Sequence, residues 1–70
     1  MTNYVILPSQ FTHDQYGIYF DIPNIVPSRI FIGCGDNIAH WSEMVNGGVR
    51  IWCSAVPVAD VYVIIETGAR

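Results

Sequence analysis

The sequence predicts a small all-β domain, an antiparallel sandwich or barrel-like sheet of about five or six short strands. Three observations lead to this prediction. Short stretches rich in β-branched and aromatic residues are separated by Pro, Gly, Asn and Asp. Two of these stretches place apolar side chains at every second position, which is the period of a strand. No helical heptad occurs, and 70 residues are enough for a single domain over residues 1–70.

The first strands are predicted near the N-terminus. Residues 3–7 form a short β-rich stretch that ends at Pro8, which has no amide hydrogen to donate to a sheet. Residues 9–15 are predicted to be a polar loop. The strand predicted over 16–22 has one apolar face, formed by Tyr16, Ile18, Phe20 and Ile22.

The middle of the chain contains a connection, a strand and an ambiguous segment. Pro23 and Pro27 make residues 23–28 a connection or an extended arm. Residues 29–33 are predicted to be a strand that stops at the turn formers of 33–37. Residues 38–45 fit either a helix within 37–46 or a strand that enters a two-residue type I′ turn at Asn46 and Gly47. We favour the hairpin because the residues after the turn are strongly extended, and the helix gives an alternative α+β fold.

The last two strands are predicted over 49–56 and 61–65. The first alternates between two faces, one of which carries Val49, Ile51, Cys53 and Ala55. Pro57 ends it, and residues 58–60 connect it to the second strand. Residues 61–65 are apolar on both faces, so we expect this strand to need cover on both sides.

Charge and hydropathy exclude several classes of partner. Six acids and three arginines give a formal charge of -3, and lysine is absent. Nucleic acid is therefore not expected as a partner, because phosphate binding needs clustered Lys and Arg. The longest nearly apolar stretch, residues 55–65, contains Pro57 and Asp60 and is shorter than the ~20 residues of a membrane span. We expect no membrane span and no signal peptide.

The aromatic content predicts association with other proteins. Charged residues make up only 13% of the chain, so they cannot cover a folded monomer of this mass, which exposes about 4,400 Å². Several of the nine aromatic residues should then be exposed, and exposed Trp and Tyr are typical of interfaces. The residues that we expect in an interface are Tyr19, Trp41, Trp52, Tyr62 and Arg50.

Catalytic and metal sites are not predicted. Cys34 could act as a nucleophile only with His40 or His13 as base and Asp36 as the orienting acid, and no family signature surrounds it. The same cysteine, both histidines and Cys53 lack the close pairs that structural zinc sites use. We expect two reduced thiols, with a Cys34–Cys53 disulfide as the alternative in an exported protein. The sequence thus predicts no enzyme, no cofactor and no metal.

The C-terminal part of the chain resembles a known group of proteins. It is a glycine turn followed by two apolar strands in a chain without lysine, running through Gly47-Gly48-Val49-Arg50-Ile51-Trp52-Cys53-Ser54-Ala55-Val56-Pro57 and Asp60-Val61-Tyr62-Val63-Ile64-Ile65. Residues 47–66 are similar to the closing hairpins of small tail or tail-tip proteins of tailed bacteriophages. The resemblance implies a structural or adaptor protein of the virion, made in the host cytoplasm, that binds its own copies and other virion proteins.

A second hypothesis comes from a different functional class. A small acidic chain could be a phage-encoded inhibitor that binds a host enzyme or defence complex by adding a strand to an exposed sheet edge. Presence of the protein in purified particles would favour the virion role. Stoichiometric capture of one host protein would favour the inhibitor.

Overall fold

The computed structural model describes residues 2–35 and 38–67, which form two antiparallel sheets. The strands in chain order are β1 (Thr2–Ile6), β2 (Thr12–Asp14), β3 (Gly17–Pro23), β4 (Pro27–Cys34), β5 (His40–Val45), β6 (Gly48–Cys53) and β7 (Val61–Thr67), with one 3-10 turn at Pro8–Gln10. The order is β1-β7-β4 in the three-stranded sheet and β2-β3-β6-β5 in the four-stranded sheet. The fold is all-β, as predicted.

The two sheets share one hydrophobic core. Its buried side chains come from both sheets and are Ile6, Ile22, Val49, Ile51, Val61, Val63 and Ile65. Three aromatic residues, Tyr4, Phe11 and Phe20, pack against this core. The solvent-accessible surface of 4416 Å² is the value expected for a folded chain of this mass, about 4,400 Å². The side chains left outside are therefore exposed on a fully compact fold.

The alternation predicted over β3 and β6 is confirmed within both strands, but β3 begins one residue later than predicted and β6 is shorter than predicted. Tyr16, which the sequence placed on the apolar face of the first of them, lies in the turn before β3 and is 69% exposed. Ile18 and Ile22 of β3 are buried, as are Val49, Ile51 and Cys53 of β6. Residues 55 and 56, which the sequence placed in this strand, lie beyond its end and are exposed. The chain leaves the sheet at Ser54, whose amide donates to the Ala39 carbonyl at 2.8 Å while its hydroxyl accepts from the Ala39 amide at 3.0 Å.

The ambiguous segment is a strand, so the helix alternative is wrong for residues 40–45. β5 pairs with β6 through a two-residue turn at Asn46 and Gly47. The type I′ prediction is also wrong, because that turn needs positive φ at both central residues. Gly47 has φ +81°, but the φ of Asn46 is not positive. Asn24 is the one non-glycine residue with positive φ in the described chain. The Gly47 carbonyl accepts the amides of Asn24 and Ile25, which fixes the turn against the connection after β3.

Two further differences concern polar and apolar segments. β2 lies in the segment predicted as a polar loop, which raises the count to seven strands among the described residues. On β7, Val61, Val63 and Ile65 face the core, but Tyr62 and Ile64 are 53% and 36% exposed. The described chain thus covers one side of β7 and leaves the other open. Within residues 2–35 and 38–67 no helix has the length and apolar character for crossing a membrane.

Candidate functional site

The outer face of the four-stranded sheet carries four of the five residues predicted to form an interface. The register aligns Tyr19 of β3, Trp52 of β6 and Trp41 of β5 in one row across the sheet. The row beside it contains Asp21, Arg50 and Glu43 from the same strands. We call these two rows, together with Asp14, the aromatic face.

The aromatic rings of this face contact one another. Tyr19 and Trp52 have ring centroids 5.1 Å apart, and Trp41 and Trp52 are nearly parallel with centroids 6.4 Å apart. Gly17 makes room for this row, since a Cβ there would come within 3.0 Å of the Trp52 ring. Trp41 is 49% exposed at the sheet edge, while Trp52 is partly enclosed between its neighbours. Trp41 therefore offers the more accessible ring.

Arg50 is held inside this face by ionic and aromatic contacts. Its Nε and a terminal nitrogen donate to the two carboxylate oxygens of Asp21 at 2.7 and 3.2 Å. Its guanidinium carbon lies 4.1 Å from the Tyr19 ring centroid and 5.5 Å from that of Trp52. The hydrogen bonds to Asp21 raise the pKa of Arg50. Arg50 thus organises the face, and Asp21 already neutralises its charge.

Two acids that sequence reasoning did not single out complete the face. The Tyr19 hydroxyl donates to Asp14 at 2.7 Å, and the Tyr16 amide donates to the same carboxylate at 2.8 Å. These bonds lower the pKa of Asp14, and the first of them raises the pKa of Tyr19. Trp52 Nε1 donates to Glu43 at 2.9 Å. Counting back from the predicted two-residue turn would have placed Glu43 opposite Arg50.

An open depression of about 470 Å³ lies at the edge of the aromatic face. Its lining consists of Tyr16, Trp41, Ser42, Glu43 and Trp52. Tyr16 is 69% exposed. Aromatic rings and one carboxylate thus surround a space that is accessible from outside the molecule.

The outer face of the three-stranded sheet is different in character and contains the fifth predicted residue, Tyr62. Its exposed apolar side chains are Val5, Phe31, Tyr62 and Ile64, which we call the apolar face. The register brings Val5 next to Tyr62, and Phe31 next to Ile64. Gly33 lies opposite Tyr62, and a Cβ there would meet no atom within 4 Å, so the space beside the tyrosine is open.

The cysteines and histidines are not grouped as a metal centre in the described part of the chain. Cys34, on the inner side of β4, packs against the core, and both cysteines are free thiols. Burial raises the pKa of Cys53. Among residues 2–35 and 38–67, no three His, Cys, Asp or Glu side chains are grouped as a metal site requires. Asp36, considered above as an orienting acid, lies outside the described residues.

The two outer faces also differ in charge. The apolar face ends in one ion pair, with Arg29 Nε 3.7 Å from Glu66 Oε1, so the described residues give this face no net charge. The aromatic face has three carboxylates, Asp14, Asp21 and Glu43, but only one guanidinium, that of Arg50. Comparisons of this chain with protein-family models, with curated proteins and with solved structures find no match.

Proposed function

We propose that this chain is a non-enzymatic assembly protein whose apolar face packs against a second copy of the chain. The observation that carries this proposal is the exposure of Val5, Phe31, Tyr62 and Ile64 on one side of a compact fold. Large apolar side chains that are neighbours on a sheet form a contiguous patch, and such patches mark contact surfaces. Association buries this apolar area, and the rings of Phe31 and Tyr62 can also pack against other rings in specific geometries.

The size of the fold is sufficient for such a contact. The molecule measures 35 × 25 × 17 Å between Cα atoms. The shortest dimension, 17 Å, is the one expected along the direction in which the two sheets stack, because stacked sheets lie about 10 Å apart. Each broad side then approaches the roughly 800 Å² that one partner contributes to a stable complex.

Charge favours a second copy as the occupant of the apolar face. A two-fold dimer brings the same patch of both chains together, so a net charge on that patch would repel its copy. Arg29 and Glu66 balance on this face. The aromatic face carries an excess of two carboxylates and would repel itself. Self-association is therefore assigned to the three-stranded sheet.

The cellular role that we propose is a structural or adaptor protein of a bacteriophage virion, in the tail or tail tip. Support comes from the resemblance of residues 47–66 to small tail proteins and from the apolar face, which suits a repeated subunit. In this role the protein is made in the host cytoplasm and binds its own copies and other virion proteins. Mass spectrometry of purified particles tests the location.

A second candidate is supported by the free edge of the four-stranded sheet. β5 is the last strand of that sheet, so one side of His40–Val45 is not paired with another strand of the described chain. An inhibitor could add this edge to a sheet of a host enzyme or defence complex. Absence from particles, together with a stoichiometric host complex that depends on β5, would select this function over the virion role.

The assembly proposal is tested by light scattering coupled to size exclusion over a concentration series. The parent chain should behave as a dimer, and Phe31→Glu should reduce the mass to that of the 7.8 kDa chain, because each copy would bury a charge in the contact. Met44→Glu is the matched control, since Met44 is 57% exposed on the other sheet and Phe31 is 50% exposed. A parent protein that stays monomeric, or equal behaviour of both variants, would refute the proposal.

A further inference from the structure

One end of the aromatic face holds a cation, Arg50, whereas no cation of the described residues lines the depression beside Trp41. Arg50 sits over the Tyr19 ring, and its guanidinium is paired with Asp21. At the other end of the row, the Trp41 ring and Glu43 line the open space. The two ends therefore present the same pair of groups, an aromatic ring and a carboxylate, but a cation from residues 2–35 and 38–67 occupies only one of them.

Glu43 acts on Arg50 only through its charge, because the guanidinium of Arg50 is hydrogen-bonded to Asp21. Its carboxylate accepts the neutral indole N–H of Trp52 at 2.9 Å. The ion pairs among the described residues join Arg29 to Glu66 and Arg50 to Asp21, so neither involves Glu43. A carboxylate at the edge of an aromatic depression strengthens the attraction of a cation to the ring faces.

The chemistry of the lining selects among ligand classes. Phosphate and other anions are disfavoured because carboxylates outnumber the single guanidinium on this face, and that guanidinium is already paired. A planar guanidinium can stack on an indole and at the same time give two hydrogen bonds to a carboxylate, which a compact ammonium does less well. Arg50 adopts this arrangement between Tyr19 and Asp21.

We infer that the depression lined by Tyr16, Trp41, Glu43 and Trp52 binds an arginine side chain of a partner protein, with its guanidinium on Trp41 and against Glu43. This site is separate from the apolar face, so it goes beyond self-association. A chain that binds its own copy through one sheet and a basic partner through the other can link two components. The two contacts can be lost independently.

The two tryptophans of the chain both line this depression, so they report on binding directly. The probe is N-acetyl-arginine N-methylamide, titrated while the two indole N–H resonances are followed by NMR. Both resonances should shift to saturation in the millimolar range, as expected for one small cation at an exposed site. The citrulline analogue has the same shape without the charge and should bind at least about threefold more weakly.

Two matched pairs of variants test the assignment to these side chains. Glu43→Gln keeps an acceptor for Trp52 but removes the charge, and should weaken binding about two- to fivefold. Glu66→Gln makes the same change on the opposite sheet and should have no effect. Trp41→Leu should also weaken binding, whereas Phe31→Leu should not. The dispersion of the amide spectrum shows whether each variant is folded.

Several outcomes would overturn the inference. Full binding by Glu43→Gln, or equal binding of the citrulline analogue, would show that charge is not recognised. Equal affinity for N-acetyl-lysine N-methylamide would remove the preference for guanidinium. Saturable binding of methyl β-glucopyranoside without binding of the arginine probe would make the depression a sugar site. Phe31→Glu should leave arginine binding unchanged, so the two proposals fail separately.

Discussion

Gly48 is the position where a single methyl group should damage this fold most directly. It is buried at the start of β6, opposite Pro23 of β3. A Cβ at Gly48 would collide with the carbonyl oxygen of Ile22 and lie 3.0 Å from the Cα of Pro23. Both contacts are with backbone, which cannot rotate away as a side chain can. The Gly47 turn, tied to the amides of Asn24 and Ile25, prevents the neighbouring chain from moving aside.

The magnitude of the effect follows from these contacts. Overpacking typically costs about 1–3 kcal/mol, and a collision with fixed backbone belongs at the upper end of that range. A domain of 70 residues has a total stability of about 4–10 kcal/mol. Gly48→Ala should therefore remove a large part of the free energy of unfolding. For a domain of this size, a loss of about 3 kcal/mol lowers the melting temperature by about 12 °C or more.

Thermal unfolding followed by far-UV circular dichroism measures this effect, and Gly33→Ala is the control. A Cβ at Gly33 would meet no atom within 4 Å. Alanine is about 0.5–1 kcal/mol better than glycine within a strand, so Gly33→Ala should raise the melting temperature by a few degrees. Both variants are measured at low protein concentration, because Gly33 lies on the apolar face. Equal melting temperatures for Gly48→Ala and the parent would refute the close approach of β3 and β6.

Three further predictions concern titrating groups. Hydrogen bonds to Asp14 hold its pKa below the ordinary value of 3.8, so its stabilisation is complete above that pH and is lost as the pH falls through the folded value. The gap in melting temperature between the parent and Asp14→Asn should therefore close as the pH falls below 3.8. The hydrogen bond from the Tyr19 hydroxyl to Asp14 raises the pKa of Tyr19 above its ordinary value of 10.0. Asp14→Asn should therefore shift the phenolate absorbance of Tyr19 to lower pH. Burial raises the pKa of Cys53, so peptide mapping after brief alkylation should find Cys34 labelled first, and equal labelling would contradict this.

The four-stranded sheet could be predicted largely from local patterns. The alternation in β3 and β6 predicts which side chains face the core, and the two-residue turn after Val45 fixes the β5–β6 register. That register alone brings Trp41 opposite Trp52. β2 was missed because its sequence, Thr12–Asp14, is short and polar, and it forms a strand by pairing with β3. The role of Asp14 depends on that pairing.

The three-stranded sheet could not be predicted in the same way. β7 pairs with β1, which lies at the other end of the chain, so no short turn defines their register. The apolar character of both faces of β7 was visible in the sequence, but the sequence does not say whether its own chain covers both. In the structure the described chain covers only one face of β7, because Tyr62 and Ile64 on the other face remain exposed.

The open side of β7 follows from the arrangement of the described strands in only two sheets. Two stacked sheets share one buried layer, and a strand that is apolar on both faces needs a third layer. All seven strands lie in these two sheets, so no strand of the described residues forms that layer. The aromatic face avoids the problem because Arg50, Asp21 and Tyr19 satisfy one another within a single sheet. Among the described residues, Val5, Phe31, Tyr62 and Ile64 of the apolar face stay exposed, and in the dimer that we propose a second copy would supply the missing layer.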